Sequence, residues 1–459
     1  MKNLVGFSVG PIVGAIIGFI TVPITTYLVS PDDFGKAAMY TMGYTISSLF
    51  IFLGLDQAFV REYNEQVNKN NLFWNALFFP LLFSFILALI YIVFYKSISL
   101  LMFDSVEKYV IILLAISLPF AIIDRFNLLV LRMEEKAKIY SLVNILNKLL
   151  GIIILIPYLI FIDKSFKGII IAVFINLVIV CIIESYLVKH IWKLNFRFDK
   201  KLLQKLFRFG LPLVPATIIG WVFISMDRIA LRQWSTFNEI GIYSAAFKIV
   251  AVLSILQQAF CTSWVPTALR WHKEKVSNDK YVQVSETILT VMVVLFSTII
   301  LFKDLIIKLL SSNYSSAANS VPFLLMFPIM YTISETTTLG ITFSRKTHYN
   351  IVISLIAALT NYTGNYFLVP RYGAVGASIS TGISYIVFFW MRTLISRKLW
   401  FKFGIKLYII NTILMLLLSS FSVIVNNIFI NIFIVSLILF ANRRCILKIF
   451  HRIKTWILK

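Results

Sequence analysis

Charged side chains are scarce in this chain of 459 residues: Asp, Glu, Lys and Arg make up 14% of it, whereas hydrophobic residues make up 59%. A soluble globular domain has about 25% charged residues and about 45–50% apolar ones. A chain with so few polar residues cannot cover a soluble surface, which excludes a soluble enzyme. The high apolar content also excludes an intrinsically disordered chain.

Motifs for catalysis, nucleotide binding and metal binding are missing as well. The sequence has neither the phosphate-binding pattern G-x-x-x-x-G-K-[ST] nor the zinc-binding pattern H-E-x-x-H. Its three cysteines, Cys181, Cys261 and Cys445, are too scattered to form a metal-ligand pair. We therefore expect no cofactor, no metal site and no enzymatic activity. A membrane polysaccharide polymerase is the enzyme class to consider, but it would be expected to carry a large external loop, and the connections here are short.

Long apolar runs dominate the chain instead. A membrane-spanning helix needs about 20 mostly apolar residues, and helices are the only reasonable structure for such runs in hydrocarbon. About 14 windows meet this requirement: 5–29, 37–60, 72–95, 109–131, 141–162, 167–188, 209–232, 240–266, 286–310, 321–343, 350–369, 374–396, 405–425 and 428–441. The sequence therefore predicts an all-α integral membrane protein, with its first span retained and not cleaved as a signal peptide.

Basic residues give the chain a net charge of +23, and their positions predict its orientation. About 30 of the 43 Lys and Arg residues fall at the N-terminus, in the C-terminal tail and in alternate connections, and about 9 fall in the other connections. Because cytoplasmic loops are enriched in Lys and Arg, both termini are predicted to be cytoplasmic. The excess of basic residues thus reflects membrane topology and does not indicate a nucleic-acid-binding surface. The basic segment 189–208 is suited to rest on anionic lipid head groups.

The two halves of the chain carry similar features in the same order. Residues 7–18 and 209–220 both mix proline and glycine with aliphatic residues, and each is followed by an acidic-apolar-Gly triplet, at 33–35 and at 239–241. Parallel repeats of this kind are typical of transporters. The expected domains are an N-terminal six-helix lobe (1–188), a basic linker (189–208), a C-terminal six-helix lobe (209–398), and two extra helices with a basic tail (399–459).

Small residues mark the beginning of the first half. Gly10, Gly14 and Gly18 are spaced four apart, and such spacing lets helices approach closely. The first span is therefore either a flexible gating helix or a closely packed static one. Ser30, followed by Pro31, predicts the N-cap of the next helix.

Basic and amide side chains inside the spans form the candidate substrate site. A charge in a span is costly and usually faces a cavity or a partner. Lys148 lies about 10 Å into its helix at 1.5 Å per residue, and Ser141 and Asn144 share its face. These residues indicate a water-filled cationic cavity, and the alternative is a lysine that snorkels or pairs with an acid. The predicted lining residues are Lys148, Lys248, Arg125, Asn144, Asn361 and Asn365.

Acidic side chains inside spans are candidates for a proton or cation relay. Glu335 is the strongest candidate, because it lies in mid-span beside several Ser and Thr residues. The adjacent Asp227 and Arg228 are predicted to form a structural pair or gate, with Arg61 at the end of the second span. Glu184 lies near a span end and is expected at the membrane interface.

Three parts of the chain resemble Wzx-type polysaccharide flippases, which belong to the multidrug/oligosaccharidyl-lipid/polysaccharide exporter superfamily. They read P-D-D-F-G at 31–35 with L-G-L-D-Q-A at 53–58, F-G-L-P-L-V-P at 209–215 with M-D-R at 226–228, and V-P-R-Y-G-A-V-G at 369–376. The resemblance implies two parallel six-helix lobes around a central cavity, with two extra C-terminal helices, as in multidrug exporters and lipid II flippases. It also implies a bacterial cytoplasmic membrane.

The resemblance further implies a substrate and partners. The substrate is expected to be an undecaprenyl-diphosphate-linked oligosaccharide moved to the outer leaflet, with Lys148, Lys248 and Arg125 as candidates for binding the diphosphate. Members of the family exchange H⁺ or Na⁺, which makes Glu335 and Asp56 candidates for ion coupling. Membrane lipids and the polymerase and chain-length proteins of the same pathway are further expected partners.

Two other transport functions are compatible with this fold. A multidrug or small-molecule cation antiporter predicts fewer spans and a more acidic cavity, so the buried lysines disfavour it. A lipid II flippase is a related alternative that the sequence leaves open.

Overall fold

The computed structural model describes residues 2–193 and 197–457, and every regular element in these two ranges is a helix. The chain forms two compact units, Met1–Arg228 and Ile229–Lys459. The lobe and linker boundaries expected from the sequence remain a prediction. In chain order the helices are α1 (Lys2–Leu28), α2 (Pro31–Phe52), α3 (Leu55–Glu62), α4 (Lys69–Val93), α5 (Tyr95–Phe103), α6 (Lys108–Met133), α7 (Ala137–Phe161), α8 (Phe166–Leu187), α9 (Lys200–Gly210), α10 (Val214–Trp234), α11 (Phe237–Lys273), α12 (Asn278–Leu301), α13 (Lys303–Ile307), α14 (Ala317–Leu324), α15 (Met326–Thr337), α16 (Leu339–Phe343), α17 (His348–Leu399), α18 (Lys406–Ile424) and α19 (Ile428–Ile457).

The predicted all-α fold with many membrane spans is confirmed. Eleven helices of the described ranges are long and apolar enough to cross a membrane, or twelve if the bent pair α2–α3 counts as one span. The predicted windows all fall on helices. Helix α17, with 52 residues, contains two of them, because Gly373 (φ 50°, ψ −127°) breaks it. The first window lies in α1, which has 27 residues.

A left-handed turn bends the second span between α2 and α3 by 53°. Leu53 (φ 51°) and Gly54 (φ 71°) form this turn. Glycine is required at position 54, because a Cβ there would lie 2.3 Å from the carbonyl oxygen of Gly210 at the end of α9. Nearby, the Nζ of Lys205 donates to Oε2 of Glu65 at 2.8 Å. These contacts hold the end of the basic segment against the first unit.

Helix α1 packs closely along α7. A Cβ at Gly10 would lie 2.7 Å from the Cα of Ser141, whose Oγ accepts a hydrogen bond from the Gly10 backbone N–H at 3.2 Å. One turn later, a Cβ at Gly14 would lie 3.2 Å from Cγ of Lys148, whereas Gly18 has no atom within 4 Å of its Cβ position. Two of the three spaced glycines therefore serve close packing, which supports the static alternative for this part of α1.

Acidic residues at the start of two helices cap other helices in the same way in both units. Oδ1 of Asp33 accepts a hydrogen bond from the backbone N–H of Phe166, the first residue of α8, at 3.0 Å. Oε2 of Glu239 accepts from the N–H of Ala374, directly after the break in α17, at 2.7 Å. A helix N-terminus has unpaired N–H groups and a positive dipole end, so a carboxylate stabilises it. In each unit, the acid of the acidic-apolar-Gly triplet therefore caps the N-terminus of another helix.

The helices that carry these acids also begin alike. Oγ of Ser30 accepts from the N–H of Asp33 at 3.2 Å, as predicted for an N-cap. Oγ1 of Thr236 accepts from the N–H of Glu239 at 3.3 Å at the start of α11. The internal repeat thus extends from sequence to hydrogen bonding.

Amide side chains join the two C-terminal helices, α18 and α19, to each other and to α12 of the second unit. Nδ2 of Asn442 in α19 donates to Oδ1 of Asn411 in α18 at 2.7 Å, and Oγ1 of Thr290 in α12 donates to Oδ1 of Asn442 at 3.2 Å. The Tyr408 hydroxyl donates to Oγ of Ser285 at 2.6 Å. Such bonds join helices in a membrane where apolar contact alone gives no preference over lipid.

The packing of α1 gives a matched pair of substitutions. Gly10→Ala should lower the free energy of unfolding by about 1–3 kcal/mol, because the new methyl group overlaps the Ser141 backbone and forces α1 away from α7. Gly18→Ala should leave stability unchanged or raise it, since the position is open and alanine favours helix. Thermal unfolding of the two purified variants in one detergent measures both. Equal losses in the two variants would contradict the packing described here.

Candidate functional site

Lys148 is one of the predicted cations that the structure leaves exposed. It lies near the middle of α7, and its aliphatic stem rests against Gly14. Within the described residues it forms no ion pair. On insertion scales, a charged residue at the centre of a membrane helix costs about 2.5–3.5 kcal/mol. The face of the first unit that carries this ammonium group therefore needs water or an anionic ligand beside it.

The polar face predicted around Lys148 is split between two neighbours. Ser141 faces α1, as Lys148 does. Asn147 turns towards α8, where its Oδ1 accepts from Nδ2 of Asn176 at 2.8 Å. The Asn144 amide donates to the carbonyl oxygen of its own helix at Tyr140, at 2.8 Å. Asn144 is half-buried, and this bond lies within its own helix.

Lys248 occupies an exposed position on α11 in the second unit. Ser244, one turn earlier, is buried with an exposure of 1%. The polar face expected for this span is therefore not shared by the two residues, because Ser244 packs inward.

Arg125 and Asp56, which the sequence analysis treated separately, form an ion pair. Nη2 of Arg125 in α6 donates to Oδ2 of Asp56 in α3 at 2.9 Å, and Nε approaches the same oxygen at 3.3 Å. Nε2 of Gln57 donates to that oxygen as well, at 2.9 Å. The bend before α3 turns Asp56 towards α6. The Arg125 side chain is 41% exposed, so part of its guanidinium is accessible to a ligand.

Glu335 has a cationic partner that the sequence analysis did not name. Nη1 of Arg392 in α17 donates to Oε1 of Glu335 at 2.7 Å and to Oγ of Ser334 at 2.7 Å. Its Nε donates to Oγ1 of Thr338 at 3.2 Å, and its guanidinium carbon lies 5.7 Å from the ring centre of Tyr331. The polar stretch around Glu335 thus solvates an arginine whose side chain is only 11% exposed.

The predicted amides of α17 join its two halves. Nδ2 of Asn361 donates to Oγ1 of Thr381 beyond the break, at 3.3 Å, and Nδ2 of Asn365 donates to Oδ1 of Asn361 at 3.1 Å. Both asparagines are buried, whereas the alternating Tyr362 and Tyr366 are exposed. The tyrosines, and not the amides, form the accessible part of this helix.

The residues predicted as a pair or gate lie in two places. In α10, Asp227 is buried and Arg228 is half-buried, and their mutual pairing remains a prediction. Arg61 is exposed at the end of α3, with its guanidinium carbon 4.5 Å from the ring centre of Phe209.

Glu184, expected at the membrane interface, is buried inside the first unit, and its depth in the membrane remains a prediction. Its exposure is 0%, because α8 packs against α6 at this level. Nδ2 of Asn127 in α6 donates to Oγ of Ser185 at 3.0 Å, directly beside it. A position near a span end gave no sign of this burial, since burial depends on which helix covers the residue.

These helices define a class of fold that solved transporter structures share. The chain is similar to the lipid II flippase MurJ in an inward closed conformation, with a TM-score of 0.71, 16% identity, and coverage of 97% of this chain and 98% of that one. It is also similar to an inward-facing multidrug resistance transporter of the MATE family, with a TM-score of 0.65, 14% identity, and coverage of 87% and 98%. The protein therefore has the multi-pass membrane fold of these transporters.

The family follows from the sequence itself. Residues 1–272 match the family described as "Polysaccharide biosynthesis protein", and the chain belongs to that family. A "Putative O-antigen transporter" of Shigella flexneri is 24% identical over 411 residues, which are 84% of this chain and 94% of that protein. A "Probable low-salt glycan biosynthesis flippase" of Haloferax volcanii is 21% identical over 188 residues, 40% of each chain. The resemblance drawn from the sequence is thereby confirmed.

The two arginine pairs differ in burial, and this difference predicts different costs. Glu335→Ala should lower the free energy of unfolding by about 3–5 kcal/mol, because it leaves the Arg392 guanidinium buried without an anion. Asp56→Ala should cost less, since the partly exposed Arg125 can be hydrated. Thermal unfolding in detergent measures the loss of stability in each of the two variants. The double variant Glu335→Leu, Arg392→Met should regain most of the loss, and equal losses for both single variants would contradict this assignment.

Proposed function

We propose that this protein is a flippase that moves an undecaprenyl-diphosphate-linked oligosaccharide from the cytoplasmic to the outer leaflet of the bacterial cytoplasmic membrane by alternating access. The family description and the names of two relatives support glycan transport. The fold supports movement of a large lipid-linked molecule, since one similar structure is a lipid II flippase. Both termini are proposed to be cytoplasmic, on the distribution of Lys and Arg.

The observation that carries the proposal is the exposed ammonium of Lys148 in mid-span. A diphosphate brings concentrated negative charge into the membrane, and a lysine on a hydrated face compensates it as a point charge. The accessible part of the Arg125 guanidinium belongs to the same unit and adds donors for phosphate oxygens. Lys248 provides an exposed cation on the second unit. A transporter of organic cations would need exposed acids at such positions.

Ion coupling by H⁺ or Na⁺ is part of the proposal, with Asp56 and Glu335 as the residues first predicted for it. Each of these carboxylates is now seen with an arginine, so a coupling ion would compete with a guanidinium. The polymerase and chain-length proteins of the same glycan pathway are the proposed protein partners.

Replacing Lys148 tests the proposal, with a matched control on the same helix. Lys138 is also exposed but lies one residue from the start of α7, where its ammonium is readily hydrated. Lys148→Ala should reduce glycan export about tenfold or more, the equivalent of one lost charge-assisted hydrogen bond. Lys148→Arg should retain part of the activity, and Lys138→Ala should match the unmodified protein.

The measurement uses a strain whose own copy of this gene is deleted. Surface glycan is quantified together with the lipid-linked repeat units that accumulate in the inner leaflet, and membrane insertion is checked for each variant. Normal surface glycan with Lys148→Ala would contradict the role of Lys148. Accumulation of lipid II in place of glycan repeat units would favour a lipid II flippase.

A further inference from the structure

The first unit contains an acidic side chain with no donor to compensate it. Glu184 in α8 has an exposure of 0%, and neither of its carboxylate oxygens has a hydrogen-bond partner among the described residues. An isolated carboxylate in such a place is so costly that the group takes up a proton instead. Glu184 is therefore expected to be neutral unless another group compensates it.

The group that faces Glu184 is a second carboxyl group. Asp124 in α6 lies within hydrogen-bonding reach of it. The register of the two helices places them together, because Asn127, one turn after Asp124, donates to Ser185, the neighbour of Glu184, at 3.0 Å. Two carboxylates are both acceptors, so their contact becomes a hydrogen bond only when a proton lies between them.

The surroundings decide which of the two holds the proton. Arg125, adjacent to Asp124 in α6, is the charged group that acts on the pair, and a cation beside a carboxyl group favours the ionised form of that group. Tyr44 from α2 and Cys181 from α8 also lie close, and both are neutral groups at ordinary pH. Helices α3, α4, α5 and α7, which also pack on α6 or α8, add no further charged group to the pair within the described residues.

We propose that Asp124 and Glu184 form a proton-binding site, and that this site takes up and releases the proton that drives transport. The second half of this statement rests on the proposed flippase function. In the closed pair, protonated Glu184 donates to the Asp124 carboxylate. Release transfers that proton to a water molecule, and it leaves two carboxylates that repel each other.

This charge change is coupled to helix packing. Two carboxylates at the α6–α8 contact need hydration, and the contact, including the bond from Asn127 to Ser185, must open to admit water. Asp56 and Glu335 are less suited to this role, since an arginine already neutralises each of them. The proton site is therefore expected in the first unit, on two carboxyl groups that form no ion pair within the described residues.

Infrared spectroscopy of the full-length protein in detergent tests the site without any substrate. The unmodified protein at neutral pH should show the C=O stretch of a protonated carboxyl group. Glu184→Gln should remove that band, Asp124→Asn should shift it, because an amide replaces the anionic acceptor, and Glu335→Gln should leave it unchanged. Absence of the band from the unmodified protein, or a band insensitive to Glu184→Gln, would overturn the site. If Glu184→Gln does not purify as a monodisperse protein, an unshifted band in Asp124→Asn overturns it.

The coupling role is tested in the deletion strain by measuring glycan export at several external pH values. Glu184→Gln, which mimics the protonated form of residue 184 and cannot release a proton, should abolish export at each pH while the protein still inserts. Export that keeps its normal level and pH dependence in Glu184→Gln would overturn the coupling role. If the infrared bands behave as expected but the unmodified protein exports no glycan, the proton site stands and the flippase function is refuted.

Discussion

A charge surrounded by hydrocarbon must be hydrated, paired with an opposite charge or neutralised by a proton, and the arrangement of this protein follows from that constraint. The two units use all three solutions. Arg125 and Arg392 are each paired with a carboxylate from another helix. Lys148 remains exposed, and Glu184 meets Asp124 without a hydrogen-bond donor from the described residues. Pairing stabilises the fold, whereas hydration and protonation leave groups available for a ligand or a proton.

The same constraint applies to the backbone. The first N–H groups of a helix have no partner within it, and a helix that begins inside the packed protein needs one from elsewhere. Asp33 and Glu239 supply it for α8 and for the second half of α17. Because both acids lie at equivalent places in the repeat, a feature that reads as three weakly similar residues in the sequence is a shared structural contact.

Local features of the sequence predicted what depends on one helix at a time. The apolar windows fall on helices, and Ser30 is the N-cap of α2, since each needs only neighbours along the chain. Pairing was predicted poorly. Arg125 has Asp124 beside it in sequence, yet its ion pair is with Asp56, 69 residues away. Arg392 was not named as a partner for Glu335, because it lies 57 residues from the carboxylate that it binds.

The sequence by itself determined that this chain is a multi-span helical membrane protein of a polysaccharide biosynthesis family, because length, apolarity and short motifs are properties of consecutive residues. Tertiary structure alone decided which charges remain available. The rotation of each helix about its axis sets the neighbours of a side chain, and packing sets that rotation: Gly10 against Ser141 aims Lys148 at α1, and Gly54 against Gly210 accompanies the bend that turns Asp56 to Arg125. The contact of α8 with α6 buries Glu184 beside Asp124, which no spacing along the chain could reveal.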